Sequence, residues 1–212
     1  MLVKLGADLS VMFGTPILVR MGVLSPSVNA QLEKAVLARA AVEQGVQVSN
    51  VGGWQSRPDF FDWHEPEIAK LGTEVDWAVQ QFVSAGAAPT GTAGKNQKPL
   101  KLWKAGWVNV NRPGDYNILH NHPGQDLAAV YYVKAGRSED PAGGRLELRD
   151  PRSAAGFCSF PKLFSAEPLR ITPEPGMLVI FPAWIEHMVH PHHGPENRIS
   201  IAINIKLTDF NE

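Results

Sequence analysis

From Arg198 the chain reads R-I-S-I-A-I-N-I, with Ile199, Ile201, Ile203 and Ile205 alternating with Arg198, Ser200, Ala202 and Asn204. Alternation at this period is that of a β-strand, whose successive side chains point to opposite faces of a sheet. The isoleucine face has to pack against the helical first half of the chain. That requirement aims Arg198 and Ser200 into the interior of a β-structure. A guanidinium buried there is costly without an anion to pair with. A carboxylate ligand would satisfy it, because arginine grips such a group through a bidentate fork and the serine hydroxyl two positions along adds a donor.

The texture after Pro99 fits such a β-structure. Short apolar runs near Leu100 to Asn111, Ile118 to His122, Leu127 to Val133, Gly144 to Arg149, Arg170 to Thr172, Met177 to Phe181 and Arg198 to Leu207 are separated by R-P-G-D, H-P-G-Q, D-P-A-G-G and P-E-P-G. This is the pattern of an antiparallel barrel or jelly roll. The irregular segment Asp150 to Pro168 is read as a lid. In the first half, Phe13 to Met21 reads as an edge strand because of Pro16. Ser27 to Gly45 reads as an amphipathic helix capped by Ser27 and stopped by Gly45, with Leu32, Val36 and Ala40 on one stripe. Ser49 to Asp62 reads as a loop at the barrel mouth, Glu65 to Val83 as a second helix, and Gly86 to Pro99 as a small-residue loop. The expected architecture is one domain, mainly β with flanking helices: residues 1–98 support a β core over 99–207.

Composition narrows the function. Lys and Arg number 20 against 21 for Asp and Glu, with no long run of either sign, so neither nucleic acid nor an anionic membrane is an expected partner. A small molecule or a peptide is the expected substrate. No stretch has the length of apolar sequence that spans a bilayer. The single cysteine, Cys158, cannot form an internal disulfide and suits a reducing cytoplasm. An edge strand or an aromatic loop would serve a homodimer.

Three histidines stand at strand positions. His120 and His122, in N-I-L-H-N-H-P, share a face if the segment is extended, and His187 closes G-M-L-V-I-F-P-A-W-I-E-H. Imidazoles on neighbouring strands can converge on one transition-metal ion at roughly 2.0 to 2.2 Å and leave positions open for substrates. His190, His192 and His193 lie in a Pro- and Gly-rich loop and are read as solvent-facing or pocket-rim residues, and His64 as structural. Trp184 is expected as a pocket wall, and Asp150-Pro151-Arg152 as a turn with a surface ion pair.

These elements together resemble the iron(II)- and 2-oxoglutarate-dependent oxygenases. W-V-N-V-N-R-P-G-D-Y-N-I-L-H-N-H-P-G-Q, V-Y-Y-V, G-G-R-L-E-L-R-D-P-R, P-G-M-L-V-I-F-P-A-W-I-E-H-M-V-H-P and R-I-S-I-A-I-N look like a bacterial and phage group of that superfamily, over most of residues 100 to 206. S-N-V-G-G-W-Q-S looks like the same group. The resemblance implies a double-stranded β-helix, Fe(II) as metal and 2-oxoglutarate as cosubstrate. It implies His120 and His187 as ligands, and Arg198 with Ser200, eleven residues beyond His187, as the grip on the distal carboxylate of 2-oxoglutarate. Where most of the superfamily has a carboxylate this chain has His122, which is either a third ligand or a neighbour of the ligands. In the second case Asp115, Asp126 or Glu186 would supply an oxygen or hydrogen-bond a ligand. Tyr131 and Tyr132 lie on opposite faces of one strand, so one of them faces the pocket. Tyr131 is named as a cofactor contact, with Asn109; Asn117 is a weaker candidate. The implied chemistry is hydroxylation coupled to oxidative decarboxylation of 2-oxoglutarate. A cupin is the rival reading, as metal binder, isomerase or dioxygenase without a keto acid, but it gives no reason for Arg198 and Ser200.

Overall fold

The alternation of the last strand sorts the molecule into two apolar layers. The computed structural model describes residues 2–4, 10–12, 14–87, 101–136, 140–152 and 167–208. In the N-terminal part lie β1 (Leu2–Lys4), β2 (Ser10–Met12), β3 (Leu18–Arg20), α1 (Pro26–Ala40), β4 (Asn50–Val51), β5 (Trp54–Gln55), a 3-10 turn (Phe60–Asp62) and α2 (Pro66–Ala87). There follow β6 (Lys101–Asn111), β7 (Tyr116–His120), β8 (Leu127–Lys134), β9 (Leu146–Leu148), β10 (Leu169–Ile171), β11 (Leu178–Pro182), β12 (His187–Val189) and β13 (Arg198–Thr208). Beside the small β1–β2 pair, a six-stranded sheet runs β3-β11-β8-β13-β6-β5 and a five-stranded sheet runs β10-β9-β12-β7-β4. Every pairing in them is antiparallel. The two sheets form a double-stranded β-helix.

Ile199, Ile201, Ile203 and Ile205 lie with Val108, Ala129, Leu178 and Ile180 on the outer face of the larger sheet, under Leu32, Val36, Leu71, Val75 and Val79 of the two helices. A second cluster fills the space between the sheets: Ala128, Tyr132, Val179 and Phe181 from the larger, Leu146, Leu148, Ile171 and Val189 from the smaller. All four isoleucines of β13 are at most 1% exposed. Full burial of such a side chain stabilises by about 1.5–3 kcal/mol, so this strand holds the helices to the sheet. Lys104 of β6 ties α2 down further, donating to the Gly72 carbonyl at 3.1 Å and pairing with Asp76.

Several local expectations are revised. The early strand covers only Leu18–Arg20, although it is an edge strand, as Pro16 suggests. Ser25, not Ser27, caps α1: its hydroxyl accepts from the Val28 N–H and Pro26 opens the first turn, where a missing N–H costs nothing. The helix ends at Ala40, before Gly45, and Gly45 serves a different purpose. A Cβ there would stand 2.6 Å from the Gln55 carbonyl oxygen, so the glycine admits close packing against β5. The segment from Ser49 to Asp62 is not a plain loop. Asn50–Val51 extends the smaller sheet beside β7, and Trp54–Gln55 extends the larger beside β6. β7 stops at His120, leaving His122 beyond it, and β12 was not anticipated. Residues 88–99 of the expected small-residue loop, 153–166 of the expected lid, and Cys158 lie outside the described residues.

Candidate metal and 2-oxoglutarate site

The inward face of β13 and the strands paired with it build one cleft between the sheets. His120, His122, His187, Trp107, Asn109, Asn117, Arg198 and Ser200 line it, together with Ala128, Val130, Leu146 and Ala202.

At one end His120 closes β7 and His187 opens β12, and the two residues are partners in the antiparallel ladder. His122, two residues on, is fixed by its N–H, which donates to the Ala183 carbonyl at 3.0 Å. Ligand atoms of the three imidazoles all lie within 4.8 Å of one another. His120 Nδ1 lies 2.7 Å from the Ile118 carbonyl and His187 Nδ1 lies 2.9 Å from that of Ile185. A carbonyl only accepts, so each Nδ1 carries the proton and each Nε2 presents a lone pair. The Nε2 atoms of His122 and His187 face each other at 3.2 Å. Two imidazole nitrogens at right angles on one metal stand about 3 Å apart, so the spacing suits a shared cation. Burial holds all three below the usual histidine range, His122 to about 4 and His187 to about 3. Near pH 7 all three imidazoles are neutral, the form that binds a metal.

None of the three carboxylates weighed as a substitute ligand joins this cluster. Asp115 accepts the Arg112 N–H at 2.6 Å, Asp126 accepts the Leu207 N–H at 2.7 Å, and Glu186 is exposed. Among the described residues the metal-ligating cluster is all histidine.

At the other end Arg198 is fully buried. Its Nε donates to the Gly144 carbonyl at 3.0 Å and its Nη1 to Ser200 Oγ at 3.1 Å, while Nη2 is buried with no partner. The Tyr132 hydroxyl and Asn109 Oδ1 are likewise buried and unpartnered. Orphaned polar groups of this kind are costly in a folded interior, and an anion placed among them would be met by a charged donor. Burial pushes the Tyr132 hydroxyl up, against the opposing pull of Arg198, whose guanidinium carbon stands 5.1 Å from the ring centre.

Tyr131, named from the sequence, belongs elsewhere. It pairs across β13 with Ile201 and so shares the isoleucine face, where its hydroxyl donates to Asn29 Oδ1 at 2.7 Å. Tyr132 pairs with Ser200 and takes the inward face. Trp184 is half exposed and does not line the cleft. The tryptophan that does is Trp107, its ring centre 5.7 Å from that of His122. Trp107 lies two residues before Asn109 on the same strand face, a phase readable in W-V-N. The reading of His192 as a solvent-facing or rim residue is also corrected, while His190 is half-buried. His192 is fully buried, and His190 Nε2 stands 2.9 Å from the buried Glu147 carboxylate. Only His193 of that run is exposed. Asp150 and Arg152 do form an exposed ion pair.

The family described as "Putative 2OG-Fe(II) oxygenase" matches residues 105–204, which contain every residue of the cleft named above. No curated protein matches the chain. Among solved structures, a Pseudomonas putida prolyl-4-hydroxylase is similar with a TM-score of 0.62 at 16% identity, over 91% of this chain and 92% of that one. A Trichoplax adhaerens prolyl hydroxylase, in complex with a hypoxia inducible factor peptide fragment, gives 0.59 at 14%, over 90% and 83%. HygX from Streptomyces hygroscopicus, with nickel and 2-oxoglutarate bound, gives 0.59 at 14%, over 93% and 85%. At these identities the structural likeness speaks for the fold, and the sequence match decides between oxygenase and cupin. Over residues 105–204, just under half of the chain, the sequence matches the 2OG-Fe(II) oxygenase family, in keeping with an enzyme dependent on Fe(II) and 2-oxoglutarate.

Proposed function

We propose that His120, His122 and His187 hold Fe(II) as a three-nitrogen face, and that Arg198 anchors the distal carboxylate of 2-oxoglutarate with Ser200, Tyr132 and Asn109 around it. The observation that carries this reading is the fully buried Arg198, whose Nη2 has no partner, in the same cleft as three neutral imidazoles. Three protein ligands would leave a bound iron open to a keto acid and to dioxygen. Iron bound there supplies oxygen activation coupled to decarboxylation of the keto acid. The protein's own part is geometric and electrostatic. The Ile118 and Ile185 carbonyls hold the imidazole rings in one tautomer, Arg198 and Ser200 orient the cosubstrate, and the apolar walls of Ala128, Val130 and Ala202 exclude water.

The substrate is a neutral small molecule or peptide whose C–H bond is hydroxylated. The cleft near the histidines offers Trp107 and small apolar side chains in place of a charged partner. A near-zero net charge favours neither nucleic acid nor an acidic surface. A cytoplasmic setting and a homodimer complete the proposal. No helix among the described residues is long and apolar enough to cross a membrane.

Anaerobic titration of the iron-loaded protein with 2-oxoglutarate tests this reading. A metal-to-ligand charge-transfer band should rise and saturate. A protein that binds iron but shows neither the band nor heat of 2-oxoglutarate binding would overturn the assignment of Arg198.

A further inference from the structure

The run H-P-H-H-G-P-E-N between β12 and β13 contains a histidine that the proposed chemistry does not use. His192 is fully buried, and its Nε2–H donates to the Glu196 carbonyl at 2.6 Å. Its backbone is pinned as well: the His192 N–H donates to the Asp115 carbonyl at 3.2 Å and its carbonyl accepts the Gly114 N–H. The ring lies between two glycines. A Cβ on Gly136 would stand 2.6 Å from His192 Cε1 and 3.2 Å from Arg198 Cβ. A Cβ on Gly144 would stand 3.5 Å from His192 Nδ1 and 3.4 Å from Arg198 Cδ. Both glycines also have positive φ, +68° and +70°, a conformation that disfavours any larger residue.

The contacts form a continuous chain to the guanidinium. The Pro191 carbonyl accepts the Gly144 N–H at 3.2 Å, and the Gly144 carbonyl accepts Arg198 Nε–H at 3.0 Å. The residue that orients Arg198 is therefore held through its N–H by Pro191 and lies beside the His192 ring. With Nε committed to Gly144 and Nη1 to Ser200, Nη2 is the guanidinium nitrogen left for a ligand.

We propose that His192 is a positioning residue for 2-oxoglutarate: wedged between Gly136 and Gly144 and anchored by its Nε2–H on the Glu196 carbonyl, it fixes Gly144 and thereby the pose in which Arg198 recognises a distal carboxylate. The inference rests on the reading of Arg198 as the carboxylate anchor. His192 touches neither the metal end nor the substrate space, so its effect is confined to the half of the cosubstrate that Arg198 holds.

The test is a binding comparison on the full-length, iron-loaded protein under anaerobic conditions. 2-Oxoglutarate is set against 2-oxopentanoate, which has the same chain length but a methyl group for the distal carboxylate. H192A should weaken 2-oxoglutarate binding by about tenfold or more, the order seen when an outer partner of a liganding group is lost. It should leave 2-oxopentanoate and iron binding near wild type. H192Q, whose amide nitrogen stands where the ring Nε2 stood, should restore most of the affinity, and H192N, whose nitrogen falls short, should not. Equal weakening of both keto acids by H192A, or equal 2-oxoglutarate affinity in H192Q and H192N, overturns the proposal. If H192A does not fold, the Gln and Asn variants decide alone. Failure of the wild-type protein to bind 2-oxoglutarate would overturn the reading of Arg198 beneath it, an outcome distinct from any of these.

Discussion

The two ends of the cleft are made rigid in different ways. At the histidine end two of the three rings are fixed locally, His120 by the Ile118 carbonyl and His187 by that of Ile185, each two residues back in its own segment, while the distant Ala183 carbonyl holds the His122 backbone. At the arginine end one local contact, to Ser200 two residues on, is joined by remote ones: Arg198 is held by Gly144, 54 positions away, beside a loop that folds back beneath it. At one end two of the imidazole rings thus take their orientation from their own stretch of chain. The other end exists only once both sheets and the 190s loop are in place.

This difference sets how the two ends should fail, and the largest effect is expected at the metal. Removing one imidazole from a three-nitrogen face should cost more than the 10- to 100-fold that losing an outer partner typically costs. Metal analysis of H187A after desalting should show iron near background, whereas R198A should retain it. Unchanged iron in H187A would remove this residue from the ligand set. H122D sharpens the same end. It rebuilds the common two-histidine, one-carboxylate set and should keep iron bound, whereas collapse of the fold would mark His122 as a structural residue.

Next in size is the response at the arginine end. R198A leaves Ser200 and the cosubstrate's carboxylate without a charged partner, and truncating one member of a buried hydrogen-bonded charge pair costs about 2–5 kcal/mol. 2-Oxoglutarate affinity should fall by roughly two to three orders of magnitude. R198K keeps the charge but loses the fork, so it should fall between R198A and wild type. Calorimetry under anaerobic conditions reads both. Equal affinities in R198K and wild type would show that the planar donor geometry is not used.

How far the sequence could be read follows the same division. The histidine end was legible because H-x-H and the distal histidine are strand-edge patterns whose orienting carbonyls are sequence neighbours. The two-layer fold was legible in the isoleucine alternation, which aims Arg198 and Ser200 inward whatever the partner strands. What escaped was whatever depends on pairing between distant segments. In L-A-A-V-Y-Y-V-K both phases of the strand are apolar, so nothing in it says which tyrosine faces in. Only its register against β13 places Tyr132 opposite Ser200 and Tyr131 opposite Ile201. His192 escaped for a similar reason. Pro191 and Gly194 mark a loop, and loops are ordinarily solvent-exposed, but this one is drawn under Arg198 by contacts to Gly114, Asp115 and Gly144.

The adjacent tyrosines give the smallest and most discriminating effect, since one strand carries both and they differ by a single hydroxyl's surroundings. Tyr132 lies beside the guanidinium with its hydroxyl unpartnered, so Y132F would remove a donor that a bound carboxylate would use. A hydrogen bond to a charged group contributes about 1.5–3 kcal/mol, and 2-oxoglutarate affinity should drop by about 10- to 100-fold with melting temperature little changed. In Y131F the Asn29 side chain loses the hydroxyl that donates to its oxygen, while its own amide still donates to the Val133 carbonyl at 2.5 Å. Leaving that one acceptor unsatisfied in the core under α1 should cost about 1–3 kcal/mol of stability and leave cosubstrate affinity unchanged. Paired thermal melts and binding titrations on the two variants separate these outcomes. If Y131F, and not Y132F, weakened 2-oxoglutarate, the register of β8 against β13 in the working enzyme would have to differ from the one described, and with it the inward face on which the arginine end is built.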